Sequence, residues 1–440
     1  MNENLDPEDT TAYDKHLMGN IQRVPIEVFM AHYSNLMLTD GKQLLDYWGD
    51  EGVCSLGYNS AEYRDAAMEF LRMGAPHQLP DVYPHPLRWR CAEMLCARSG
   101  MDKVFFANSG TEANEAAIKL ARKYWWDRDL EESEDSDRPT PITDGQIHDR
   151  HVILTVEGNF HGRTGLSMAA SDPRVSPYHR WGFGPTAQGF GVIRFRDTVN
   201  AGNWRLVVED GYKVDGGCPV PEWDRVAAVI LAPVLGNNTV HTYPESFWRA
   251  LRKLREENGC LLIYDDVQAG MGRAGSLATW TQYGVRPDIM TLGKGIAMGH
   301  PMSAMLATEE VARAFTPGVH FNTFGGSPFA CHMAIRMMEW LDHHQSVVNK
   351  KGEWIRAEFK ARDWIKEHDG AGMLNAFTPN FGQFGYTGYD FCRECRGRGL
   401  SLMTHRPYGP IRFTPPLNVG VEELKIAFRI IDEVQAALEK

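Results

Sequence analysis

A chain of 440 residues with 43% hydrophobic and 23% charged residues is long enough for two or three cored domains, and too ordinary in composition for a disordered or fibrous protein. Its formal net charge of −11 argues against a nucleic-acid-binding surface, and no apolar run approaches the roughly 20 residues that a membrane span needs. The opening stretch MNENLDPEDTTAYDKH is acidic and polar, the wrong chemistry for a secretory or mitochondrial presequence, so a cytoplasmic location is expected.

In chain order, residues 1–60 read as an entry segment that packs with a C-terminal domain. It carries a hairpin: SNLMLTD, a Gly41-Lys42 turn, then QLLDYWG. Apolar spacing between Ala61 and Gly100 suits helices. KVFFA then reads as a strand that breaks at Asn108-Ser109-Gly110 into a strong helix. Residues 127–150 are acidic, Pro-bearing and aperiodic, which predicts a solvated loop. HVILTVEG, RVAAVILAPV, CLLIYDDVQ, PDIMTLG and PMSAMLA follow as apolar strands, with the helix SFWRALRKLREENG between the second and third. Continuous apolar strands alternating with amphipathic helices predict a mainly parallel sheet covered on both faces. A long helix after Pro328 leads to further helices and two or three strands, ending in VEELKIAFRIIDEVQAALEK. The fold class is therefore α/β: a large domain over 61–330 and a smaller α+β domain over 331–440. The 8 cysteines show no regular framework, and the single close pair, Cys392 and Cys395, reads as ordinary reduced thiols.

Four stretches invite a chemical reading. Ser109, Gly110 and Thr111 sit at a strand-to-helix turn, where they serve either as helix caps or as a phosphate cradle at a positive helix end. Asp265 and Asp266 close an apolar strand, where buried carboxylates require partners; the alternatives are a solvent-exposed strand end or a metal ligand. Lys294 stands between Gly293 and Gly295 after another apolar strand, either as a surface turn or where a ligand approaches the backbone. Asn322-Thr323-Phe324-Gly325-Gly326 is a Gly-rich loop before a helix. A phosphorylated pyridine aldehyde needs a lysine for a Schiff base, a carboxylate at the ring nitrogen, a polar cradle for the phosphate, and flat or apolar groups on both faces.

Together with Phe160-His161-Gly162-Arg163-Thr164, these motifs resemble the class III aminotransferases of fold type I, the ornithine, acetylornithine and ω-amino-acid type. NSGTEANEAAIKLAR and the lysine segment are its most specific parts, and the motifs keep family order from about Pro25 to the C-terminus. The resemblance implies the cofactor pyridoxal 5′-phosphate, bound covalently by Lys294, which would also move the substrate proton. It implies Asp265 at the ring nitrogen, Gln268 at the ring hydroxyl, and Phe160 and Val267 on the two ring faces. Ser109, Gly110 and Thr111 would hold the phosphate, with His161 also beside the cofactor. Thr323 would reach in from a second subunit, giving a homodimer with a shared site, and Arg412 would take a substrate α-carboxylate. Small amino and keto acids are the implied partners.

The chain also departs from the pattern. Ala232 stands where relatives carry a glutamate before proline, and Asn237 lies near a second glutamate that masks the carboxylate-binding arginine in ω-aminotransferases. Asp266 replaces a glutamate, and Gly57-Tyr58-Asn59 replaces a frequent Gly-His. The expectation is an Arg412 that is permanently available, and substrates that present an α-carboxylate in every half-reaction. Decarboxylation on the same scaffold and a non-catalytic binding subunit are the alternatives.

Overall fold

The computed structural model describes residues 17, 18, 24, 26–132, 150–175, 177–197, 204–208, 223–237 and 240–439. The chain opens with β1 (Val28–His32), β2 (Asn35–Leu38) and β3 (Gln43–Asp46), then α1 (Ala61–Met73) and α2 (Pro86–Ser99). β4 (Lys103–Ala107) feeds α3 (Gly110–Glu132), followed by β5 (Val152–Val156), α4 (Gly165–Ala170), β6 (Phe190–Asp197), β7 (Trp204–Val208) and β8 (Val226–Leu231). After α5 (Glu245–Asn258) come β9 (Leu261–Asp265), β10 (Ile289–Leu292) and β11 (Ser303–Ala307). The C-terminal part holds α6 (Pro328–Lys360), β12 (Ile365–Ala371), β13 (Leu374–Pro379), α7 (Gly388–Gly397), β14 (Leu400–Ser401), β15 (Ile411–Phe413) and α8 (Val421–Leu438).

The main sheet has eight strands in the order β4-β11-β10-β9-β8-β5-β6-β7. β11 is antiparallel to both β4 and β10, and β7 is antiparallel to β6; the other neighbours are parallel. Six strands therefore point one way and two oppose them. β5, β8, β9 and β11 are buried at every residue, because side chains alternate between two faces that are both covered by helices. β6, β7 and β1 were not among the strands expected from sequence. β6 joins β5 as one more parallel strand; β1 pairs with β2 at the start of a four-stranded sheet that β14 completes beside β3.

The hairpin of β2 and β3 forms as expected, with Gly41 left-handed at φ 85°. Over 127–132 the predicted loop is instead helical, as α3 continues to Glu132; 133–149 lie outside the described residues. α6 runs straight across residue 330. Its first half packs against α1 and α2, while its second half lies on β12 and β13. Phe359, at its end, joins Phe377, Phe413 and Phe428 in the aromatic core of the C-terminal part, with ring centroids 5.0, 5.5 and 5.5 Å from its own. Cys392 and Cys395 are free thiols packed into the same core. Among the described residues no helix is long and apolar enough to cross a membrane.

Candidate active site

The carboxyl ends of β4, β5, β8, β9 and β10 open into a cavity of about 680 Å³. Parallel strands deliver their following loops to one edge, so motifs far apart in sequence converge there. Ser109, Gly110, Thr111, Phe160, His161, Asp265, Val267, Gln268 and Lys294 all line it. Of the expected site residues, only Thr323 and Arg412 do not. Thr323 is exposed on the outer surface, and its carbonyl accepts from Gln78 Nε2 at 3.1 Å. Arg412 lies one shell behind the wall.

Asp265 ends β9 with its side chain toward the cavity, while Asp266 points the opposite way. Asp265 Oδ2 accepts from Asn114 Nδ2 at 2.8 Å and lies 2.7 Å from His161 Nδ1. Thr155 Oγ1 stands 3.1 Å from His161 Nε2, and Thr291 Oγ1 donates to Asn114 Oδ1 at 2.8 Å. This buried chain fixes the carboxylate from behind. Among the described residues, Asp265 Oδ1 accepts only from the Val267 backbone at 3.2 Å, which leaves it capacity for a donor on a ligand. Asp266 accepts from the backbone N–H and hydroxyl of Thr279 at 2.9 and 2.5 Å. Its role is to pin the loop after β9.

Lys294 follows β10 in a left-handed conformation (φ 45°), which is costly for a residue with a side chain. The residue is half-buried, and desolvation, with Arg412 adding repulsion, brings its pKa down to about 8 against the opposing pull of Glu51 and Asp265. The lysine therefore holds a far larger neutral fraction near neutral pH than an ordinary lysine does, which favours a nucleophilic amine.

Gly110 opens α3, and a Cβ there would lie 2.5 Å from Val267 Cγ1; only glycine lets the helix start close against the residue that floors the cavity. Thr111 Oγ1 is 2.6 Å from Ser167 Oγ, and Ser109 Oγ accepts from Glu112 N at 3.4 Å. The positive end of a 23-residue helix thus faces the cavity beside two hydroxyls, a suitable setting for a phosphate.

The expectation of a permanently available Arg412 is overturned. In β15, Ile411 and Phe413 face the apolar core, so strand alternation sends Arg412 the other way. There its Nη1 donates to Glu51 Oε2 in a close ion pair. Burial alone would raise the Glu51 carboxyl, but Arg412, Lys294 and His405 together hold it down at about 2. Glu51 was not singled out from the sequence. It belongs to no motif, and its approach to Arg412 bridges 361 positions of chain. Asn114, Arg163, His300 and His405 also line or back the cavity without having been singled out. Asn114 lies inside NSGTEANEAAIKLAR and Arg163 inside Phe160-His161-Gly162-Arg163-Thr164, the nearest signal the sequence offers for them. Of the departures, Ala232 and Asn237 fall in the cavity wall.

A parallel-rich sheet with a half-buried lysine, a braced carboxylate and a helix N-terminus around one cavity defines a pyridoxal-phosphate enzyme of fold type I. The chain belongs to the class-III aminotransferase family, whose sequence profile matches residues 20–435. It is 32% identical over 449 residues to an acetylornithine aminotransferase of Thermosynechococcus vestitus, covering 98% of this chain and 97% of that protein. A Synechocystis acetylornithine aminotransferase is 31% identical over 440 residues, covering 98% and 94%. Among solved structures, the ornithine aminotransferase of Toxoplasma gondii superposes with a TM-score of 0.79 at 23% identity, covering 97% of this chain and 94% of that one. The protein is thus an aminotransferase that uses pyridoxal phosphate, and the decarboxylase and non-catalytic alternatives are set aside.

Proposed function

We propose that the cavity transfers an amino group between a small amino compound and a carbonyl acceptor, with Lys294 and Asp265 as its catalytic residues. The observation that carries this reading is the meeting of a lysine with a lowered pKa and a braced carboxylate in one cavity at the mouth of a long helix. When bound, pyridoxal phosphate would supply an electron sink for the carbon that loses its proton. Asp265 Oδ1 would accept from the ring nitrogen, Ser109, Gly110 and Thr111 would hold the phosphate, and Gln268 would face the ring hydroxyl. Phe160 and Val267 would bound the two ring faces, and His161 supports the site by holding Asp265 in place. The Lys294 amine, once free, moves the proton at the reacting carbon.

Arg412 would take a substrate carboxylate once Glu51 has left it. The site is completed in a homodimer in which Thr323 serves the partner's cavity; its exposure beside Phe321 and Phe324 supports this.

The test is Lys294→Ala. It should abolish the visible absorbance of covalently bound cofactor and slow amino transfer by about 10²–10⁴-fold. Retention of both signals would sink the assignment.

A further inference from the structure

Glu51 stands between the cavity and Arg412. Its side chain is 31% exposed and forms part of the wall, whereas the Arg412 side chain is 2% exposed and does not. We propose that Glu51 is the specificity-determining carboxylate of this site: it occupies the guanidinium that a substrate α-carboxylate would engage, and so favours amines whose reacting carbon bears no carboxylate. This rests on the reading of the cavity as an amino-transfer site.

The placement is built rather than incidental. Glu51 Oε2 accepts from Arg412, and Oε1 accepts from Trp48 Nε1 at 3.3 Å with His405 Nε2 3.8 Å away. Asp50 and Glu51 are both left-handed, at φ 49° and 58°, a conformation that side-chain-bearing residues adopt only where surroundings impose it. Those surroundings are explicit. Asp46 accepts from the backbone of Trp48 and Gly49 at 3.0 and 3.2 Å and from the Tyr58 hydroxyl at 2.7 Å. Gln268 Nε2 donates to the Glu51 carbonyl at 3.0 Å. Thr414, two residues beyond Arg412, donates its backbone N–H and its hydroxyl to the Tyr47 carbonyl at 2.8 and 2.9 Å. The turn that carries Glu51 is thereby sewn to the strand that carries Arg412.

A ligand entering the cavity meets a fixed negative charge before it meets Arg412. A carboxylate on the reacting carbon is repelled and must displace Glu51, while hydrogen or an alkyl chain at that carbon need not. The uncharged Asn237 cannot supply such a mask, so here the masking charge comes from a different segment.

The experiment compares single-turnover amino transfer from 1,4-diaminobutane and from alanine to the cofactor-loaded enzyme, together with calorimetric binding of maleate to the cofactor-free protein. The wild type is expected to use the diamine more efficiently. Glu51→Gln should raise the efficiency with alanine and the affinity for maleate at least tenfold each, and adding Arg412→Lys should remove both gains. If Glu51→Gln does not fold, Glu51→Asp should shift both readouts in the same direction by less. A wild type that prefers alanine overturns the proposal. So does a Glu51→Gln protein that melts like the wild type yet shows unchanged alanine use and maleate binding. Failure of Lys294→Ala to affect cofactor binding or transfer would instead defeat the functional reading, with the maleate measurement still reporting on Glu51.

Discussion

A lysine stripped of water titrates early, and Lys294 does so at about 8 because burial disfavours its ammonium form. Between about 8 and its ordinary 10.5 the unfolded chain binds more protons at this residue than the folded one. Its contribution to the stability of the cofactor-free protein therefore rises with pH across that window and is lowest below it. Capture of added pyridoxal phosphate should accelerate as pH is raised through about 8 and level off above. A stopped-flow pH series measures this, and a rate that declines over the interval contradicts the assignment of Lys294. Gly110 gives a second prediction of this size. Its missing Cβ is what lets Val267 close on the helix start, so Gly110→Ala should destabilise the fold by about 1–3 kcal/mol through overpacking and weaken cofactor binding. Thermal denaturation and a cofactor titration report the two effects, and a wild-type melting curve would show that Val267 yields freely.

Element geometry divides labour between adjacent residues. At the end of β9 the pleat sends Asp265 to the cavity and Asp266 into the protein, where burial raises its carboxyl to about 7 despite two bonds from Thr279. Between its ordinary 3.8 and about 7 the folded state binds more protons there than the unfolded chain, so this group's contribution erodes as pH rises through that window. Asp266→Ala leaves both Thr279 donors without their acceptor and should cost about 2–4 kcal/mol in urea-induced unfolding. A loss well below that would mean that the loop after β9 is held by its other contacts. The same alternation explains β15, whose outer residues build the aromatic core while Arg412 turns to Glu51.

For the whole molecule the proposed homodimer makes the strongest demand. Val82, Tyr83, Trp89, Phe321 and Phe324 are 60–78% exposed, and Arg88 joins their segments by donating to the carbonyls of Gly326 and Tyr83 at 3.0 Å each. Exposed apolar side chains on two linked segments suit burial against a second copy. Phe324→Asp should shift the protein toward monomer in sedimentation velocity and lower cofactor affinity in parallel, because Thr323 would no longer reach a neighbouring cavity. A variant that stays dimeric with unaltered affinity would place the contact elsewhere.

The apolar strands, the helix start at Gly110, the lysine turn and the paired aspartates were legible from the chain alone, because each depends on local spacing and on residue chemistry that few other uses explain. The family followed from those motifs in order. Strands β6 and β7 were not legible, since Arg194, Arg196 and Arg205 interrupt their apolar residues and their pairing depends on neighbours. Nor was the state of Arg412. Its partner lies hundreds of residues away in a turn whose left-handed backbone is imposed by Asp46, Gln268 and Thr414 together, and a charge pair between distant segments exists only once the tertiary fold has brought them to the same wall.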